Sequence, residues 1–146
     1  MEDANCIFCR IVSGKTQARI IGENDNALAF LDAFPLSVGH TLVIPKAHYS
    51  KVQDMNRTYS CAVFNLTCEL AAILEKTVEV NASTIAIHNG KDAGQEVPHV
   101  HIHIVPRSVN DGAGSIHSIF TIRPKLSEEE MDLLSNKMKK VSLYNH

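Results

Sequence analysis

The chain has 146 residues, 45% of them hydrophobic and 21% charged, with a formal net charge of −2. That is the balance of a single soluble globular domain, expected to span 1–146, whose core needs no disulfide staples, and it lacks the basic footprint of a nucleic-acid-binding protein. No apolar run is long enough to cross a bilayer, and Met1-Glu2-Asp3-Ala4-Asn5 has neither the positive nor the apolar region of a secretory signal. A cytoplasmic setting is expected, with the nucleus open to it if the cell has one, and no membrane or nucleic-acid partner.

Taken in chain order, the first feature is Cys6-Ile7-Phe8-Cys9. Two thiols at this spacing can form half of a zinc site, a redox pair, or nothing but incidental cysteines. A redox pair normally follows a strand deep within a fold, whereas this one stands six residues from the start. Residues 18–23 and 27–32 read as two short strands around Asn24-Asp25-Asn26, and Thr41-Leu42-Val43-Ile44-Pro45 as a third, stopped by its proline. From about Asp54 to Val80 the period becomes helical. Val63, Leu66, Leu70, Ile73 and Leu74 form the apolar stripe, with Asp54 or Asn56 as cap. Cys61 and Cys68, seven apart on this helix, read as buried structural thiols, since a reducing compartment argues against a disulfide framework.

Strand character returns at 83–89 and 99–105, around the glycine-bearing loop 90–97. A second, shorter helix opens at Ser127, three residues before Glu130 as in a capping box, and runs to about Lys140. Its basic end, Lys137-Met138-Lys139-Lys140, complements the helix dipole rather than marking an acidic partner. The sum is an α+β domain: an antiparallel sheet with one long helix and one short C-terminal helix.

The chemistry concentrates in Pro98-His99-Val100-His101-Ile102-His103-Ile104. In an extended strand, alternate side chains share a face, so three imidazoles line one side and Val100, Ile102 and Ile104 the other. Rings spaced ~6–7 Å apart along a strand repel when charged, which favours neutral imidazoles able to accept protons, attack electrophiles or bind metal. Strand pairing is expected to bring the Asn89 amide beside this row and to turn His88 away from it. The loop's backbone N–H groups could hold a phosphate, and a neutral imidazole aimed at phosphorus is a competent nucleophile. Arg107 and Lys46 are candidate phosphate neighbours. His117 and the terminal His146 read as surface residues.

The segment from Asn89 through Gly94-Gln95-Glu96-Val97 and His99-Val100-His101-Ile102-His103-Ile104-Val105 resembles the signature of the histidine triad (HIT) family. Cys6-Ile7-Phe8-Cys9, Ala29-Phe30-Leu31-Asp32 and Gly39-His40-Thr41-Leu42-Val43-Ile44-Pro45-Lys46-Ala47-His48 resemble the same family in the same order. The likeness covers about 6–107, leaving 108–146 as a C-terminal extension, and is closest to the compact, zinc-containing Hint-like branch.

The resemblance implies that His101 attacks an α-phosphate to give a nucleotidyl-histidine that water hydrolyses. His103, Asn89 and the backbone of Gly94, Gln95, Glu96 and Val97 would hold the phosphate. Asp32 would grip the ribose, and His40 would support the triad from behind. It further implies a structural Zn²⁺ on Cys6, Cys9, His48 and His99, and a homodimer paired through the long helix and an edge strand. Glu96 departs from the serine that animal Hint proteins carry there, which leaves leaving-group protonation to the imidazolium of His101 or His103. The implied activity is hydrolysis of a purine nucleoside 5′-phosphoramidate, adenosine above all, with AMP or GMP as product; dinucleoside polyphosphates come second. Two other classes stay open: a zinc hydrolase using all three triad histidines as ligands, and a nucleotide-binding interaction protein with incidental turnover.

Overall fold

Five strands, β1 (Ile20–Glu23), β2 (Ala27–Leu31), β3 (Thr41–Pro45), β4 (Ala82–Ala86) and β5 (Ile102–Arg107), form one antiparallel sheet in the order β1-β2-β3-β5-β4. The structure is a computed structural model and describes residues 3–141. Their contacts divide after Asp111 into two compact units, close to where the family likeness ends.

In the first unit the sheet carries apolar side chains on both faces. Ala27, Ala29, Val43, Val100, Ile102 and Ile104 pack with Val63, Leu66, Leu70 and Leu74 of the long helix α2 (Arg57–Thr77). Those helix positions step by three, four and four residues, so they form one stripe along the axis. The other face, with Leu28, Phe30, Leu42 and Ile44, is covered by Cys6, Phe8 and Cys9 at a short helix, α1 (Ile7–Val12). Because β2 and β3 are covered on both sides, they read in sequence as continuous apolar runs. Asn56 caps α2, its side-chain oxygen accepting from Tyr59 N–H at 3.1 Å. Asn24 builds the β1–β2 turn by accepting from the N–H groups of Asn26 and Ala27, and it donates to the Ala62 carbonyl on α2. Sheet and helix are thus clipped together at the turn.

Several sequence expectations need correction. Ile73 is 56% exposed, because the α2 stripe that meets the sheet closes through Leu70 and Leu74. Cys61 and Cys68 are exposed, lying off that stripe. The expected strand 83–89 ends at Ala86. The triad strand begins only at Ile102, because Val100 N–H bonds to the Tyr49 carbonyl instead of a ladder partner. The sequence pattern carries no helix signal at α1, which nonetheless forms with Cys6 as its N-cap.

The second unit holds α3 (Glu128–Lys140), which carries the expected capping box. Glu130 N–H donates to Ser127 Oγ at 3.2 Å and Ser127 N–H to Glu130 Oε2 at 2.7 Å. Acidic residues stand in its first turn and Lys137, Lys139 and Lys140 in its last, the favourable sense for the dipole. His117 is exposed here, and His146 lies outside the described residues. Among the described residues, no helix is long and apolar enough to cross a membrane.

Candidate active site and metal centre

Two clusters share the triad. The first gathers Cys6 and Cys9 at α1, His48 after β3, and His99 just before β5. Cys6 and Cys9 Sγ lie 3.5 and 3.6 Å from His99 Nδ1, and Cys9 Sγ lies 3.4 Å from His48 Nδ1. A tetrahedral zinc with its usual ligand lengths sets sulfur-to-nitrogen edges of about 3.5 Å, so these separations are those of a ligand set. The tautomer agrees. His99 Nε2 donates to the Pro45 carbonyl at 2.9 Å, which leaves the Nδ1 lone pair facing the sulfurs, the outer-shell arrangement of a metal-binding histidine. Burial pushes His99 down to about 4 and raises Cys9 above the ordinary thiol range. The imidazole is therefore neutral, and burial disfavours a Cys9 thiolate unless a cation stands beside it. The Cys₂His₂ cluster is compatible with zinc.

The second cluster is a relay of imidazoles whose protons follow from their partners. His40, fully enclosed after Gly39, accepts from Leu36 N–H at its Nδ1 (3.0 Å), so its proton sits on Nε2. That Nε2 donates to His103 Nδ1 at 2.9 Å, which places the His103 proton on Nε2. Among the described residues, His103 Nε2 is a buried side-chain nitrogen with no partner. His101 Nδ1 donates to the His99 carbonyl at 2.7 Å, so its Nε2 carries a free lone pair. The His101 and His103 rings stand 5.0 Å apart. The Phe8 ring packs edge-to-face with both His99 and His101, with ring centroids 5.8 and 5.2 Å apart. Burial is the main cause of depressed basicity throughout. It lowers His40 and His101, and with the neighbouring imidazoles takes His103 to about 4. The site thus sets a neutral nucleophilic nitrogen beside an unpaired N–H donor.

Other expected residues are placed differently. Asp32 stands behind His40, one carboxylate oxygen 3.7 Å from His40 Nε2 and the other accepting from Phe34 N–H at 2.8 Å. Asp32, His40 and His103 also lie close enough to share an ion. The His40–His103 bond, however, occupies both of the facing nitrogens. Asn89 is turned from the triad: its oxygen accepts from Val52 N–H and its nitrogen donates to Gln53, each at 2.9 Å. The reason is register. Ala86 pairs with His103 and Ile85 with Ile104, so along β4 the even-numbered residues share the histidine face and the odd-numbered ones the helix face. Continuing the alternation brings His88 to the triad, its ring 5.6 Å from that of His103, and sends Asn89 toward the residues preceding α2. The structure inverts the expectation for this pair, because parity runs from Ala86, the residue opposite His103.

In the loop, Gly94 N–H bonds to the Lys91 carbonyl and Gln95 N–H to the Gly90 carbonyl. The Gln95 side chain pins Gly90 N–H and the Ser50 carbonyl. Gly94 and Gln95 therefore shape the loop rather than offer free donors. Gly94 adopts φ +91°, which an L side chain resists. Among the described residues, the Glu96 and Val97 amides have no partner in the loop. Arg107 is held by Asp111 and Thr84, and Lys46 by Glu23, so neither is a free phosphate ligand. His99, His101 and His103 do not converge on one point: His99 belongs to the cysteines and His103 to His40.

The HIT domain model matches residues 13–110. The chain belongs to the HIT family. It is 38% identical over 141 residues to an uncharacterized HIT-like protein of Mycoplasma pneumoniae, an alignment covering 94% of this chain and 95% of that one. Over 105 residues it is 35% identical to the adenosine 5′-monophosphoramidase of Saccharomyces cerevisiae, covering 72% of this chain and 64% of that enzyme. Among solved structures, a HIT family member from Bacillus subtilis superposes with a TM-score of 0.85 at 30% identity, over 97% of this chain and 99% of that one. A Zn-bound histidine triad family protein from Mycobacterium smegmatis does so with a TM-score of 0.70 at 34% identity, over 93% and 94%. The sheet and helices are those of this HIT-like α+β fold.

Proposed function

We propose that this HIT protein hydrolyses purine nucleoside 5′-phosphoramidates, adenosine 5′-phosphoramidate first, through a nucleotidyl intermediate on His101. The observation that carries the reading is the tautomer chain: Leu36 N–H to His40 to His103 leaves His103 Nε2–H unpaired beside the His101 Nε2 lone pair. A lone pair next to a buried, unpaired donor fits attack on a phosphorus whose non-bridging oxygen takes up that donor. His101 Nε2 forms a bond to the α-phosphorus as the phosphorus–nitrogen bond breaks. Water then displaces the imidazole, releasing the nucleoside monophosphate, AMP or GMP. The Glu96 and Val97 amides supply further donors, and the outer oxygen of Asp32 takes a ribose hydroxyl. The named activity of the yeast relative supports the same substrate class.

Cys6, Cys9, His48 and His99 would hold a zinc ion. Bound there with four protein ligands, it would tie the N-terminal segment to the catalytic strand and contribute to folding rather than to the reaction. Two copies would pair through α2 and the edge strand β4, where Ile73 and Ile85 are 56% and 49% exposed.

The test is steady-state hydrolysis of adenosine 5′-phosphoramidate and of diadenosine polyphosphates by the wild type and by His101→Ala. The variant should retain AMP binding and lose at least about 10³-fold in kcat. A variant as active as the wild type would overturn the mechanism.

A further inference from the structure

The relay that prepares His101 and His103 leaves one proton unaccounted for. Expulsion of an amine from phosphorus needs a proton on the departing nitrogen. His101 cannot give it: its Nε2 becomes bonded to phosphorus and its Nδ1–H is held by the His99 carbonyl. His103 cannot give it either. It is held neutral, and loss of its Nε2 proton would leave an anionic His103–His40 pair that nothing behind it neutralises, because His40 is backed at its own Nδ1 by the weakly acidic main-chain Leu36 N–H. The relay is therefore a fixed donor that ends in backbone.

A further imidazole stands in the cluster. His88 follows β4 on the histidine face and lies 5.6 Å, ring to ring, from His103. The Gly90–Gly94 turn lies against it, such that a Cβ on Gly94 would stand 3.8 Å from His88 Nδ1. Unlike the triad rings it is exposed, so solvent can recharge it after each proton transfer. Its charge is felt by both His101 and His103, whose protonation it opposes. The other charged and titratable groups around this corner are His40 and Asp32 behind His103, Glu96 in the loop and Lys51 against Gly90. Histidine is the side chain best suited to exchange a proton near neutrality.

We propose that His88 is the general acid of the first step, a role resting on the hydrolase reading above. As the bond from His101 Nε2 to phosphorus forms, the phosphorus–nitrogen bond breaks, its electron pair stays on the amine nitrogen, and the His88 imidazolium gives that nitrogen its proton. Neutral His88 then takes a proton from the water that attacks phosphorus, and the His101 nitrogen recovers its electron pair. His88 ends as imidazolium, ready for the next turnover. The substrates favoured are those with basic leaving groups, alkylamines and ammonia, rather than those whose leaving group departs as a stable anion.

The experiment compares two substrates differing only in leaving group, with enzyme in excess so that the first step is read directly: an adenosine 5′-phosphoro-n-alkylamidate and the p-nitrophenyl ester of AMP. His88→Gln should slow alkylamine release by about 10²-fold or more, the range lost with a general acid. Release of p-nitrophenolate, which needs no proton, should change by less than about fivefold. Equal slowing of both would assign His88 to phosphate binding and overturn the proposal, as would no slowing of either. An inactive wild type on both substrates would overturn the hydrolase reading and this role with it, whereas an active wild type with equal losses removes only the role of His88. Unfolding in urea and AMP affinity of the variant confirm that the exposed substitution leaves the fold and the site in place.

Discussion

Burying His103 as a neutral ring ties the fold's stability to pH in a way that one substitution isolates. Burial and the facing imidazoles hold His103 at about 4, while an unfolded histidine titrates near 6.5. Between those values the unfolded chain binds the extra proton, so stability falls as pH falls from about 6.5 toward 4 and is fully present above that window. Integrating one such site from pH 7 to pH 5 gives a loss of about 2 kcal/mol. Other acid-sensitive groups, the cysteine-bound cluster included, add their own losses, and a difference between proteins removes them. Urea unfolding of wild type and His103→Gln at pH 7 and pH 5 therefore yields four stabilities. The loss on acidification should be smaller in His103→Gln by about 2 kcal/mol. Equal losses in the two proteins would show that His103 is not held neutral by the fold.

Two substitutions probe the metal cluster and the exposed side of α2. Cys9→Ala removes a sulfur within 3.4–3.6 Å of both His48 and His99. It should abolish stoichiometric zinc in metal analysis and lower the melting temperature by ten degrees or more, while the fraction that stays folded retains kcat within about tenfold. Ile73→Asp places a charge on the exposed apolar side of α2. It should convert the dimer proposed above to a monomer in sedimentation without loss of helix content.

The family and the strand that carries it were legible because they rest on local pattern. Three histidines alternating with Val100 and Ile102 need only a two-residue period, and the apolar partners do enter the core against α2. The Ser127–Glu130 capping box and the Asn56 cap are likewise local, and both formed. The misreadings came from facts that lie between segments. Which of His88 and Asn89 faces the triad depends on whether Ala86 or Ile85 stands opposite His103, a register no single strand reveals. Arg107 looked available until Asp111, four residues on, closed over it. Gly94 and Gln95 looked like phosphate donors because a glycine-bearing loop often is one, yet its turns close on themselves. The exposure of Cys61, Cys68 and Ile73 reflects how wide an arc of α2 the five-stranded sheet covers, which composition does not contain.

In the proposed mechanism His101 Nε2, left bare by the bond from its Nδ1 to the His99 carbonyl, becomes covalently bonded to phosphorus. The most direct test is rapid acid-free quenching of the enzyme with adenosine 5′-phosphoramidate, followed by mass spectrometry of the protein and of the peptide containing residues 99–107. A transient adenylyl adduct is expected on His101 and none in His101→Ala. Turnover of the substrate by wild type with no adduct on His101 at any quench time, or with the adduct on His103, would contradict that mechanism.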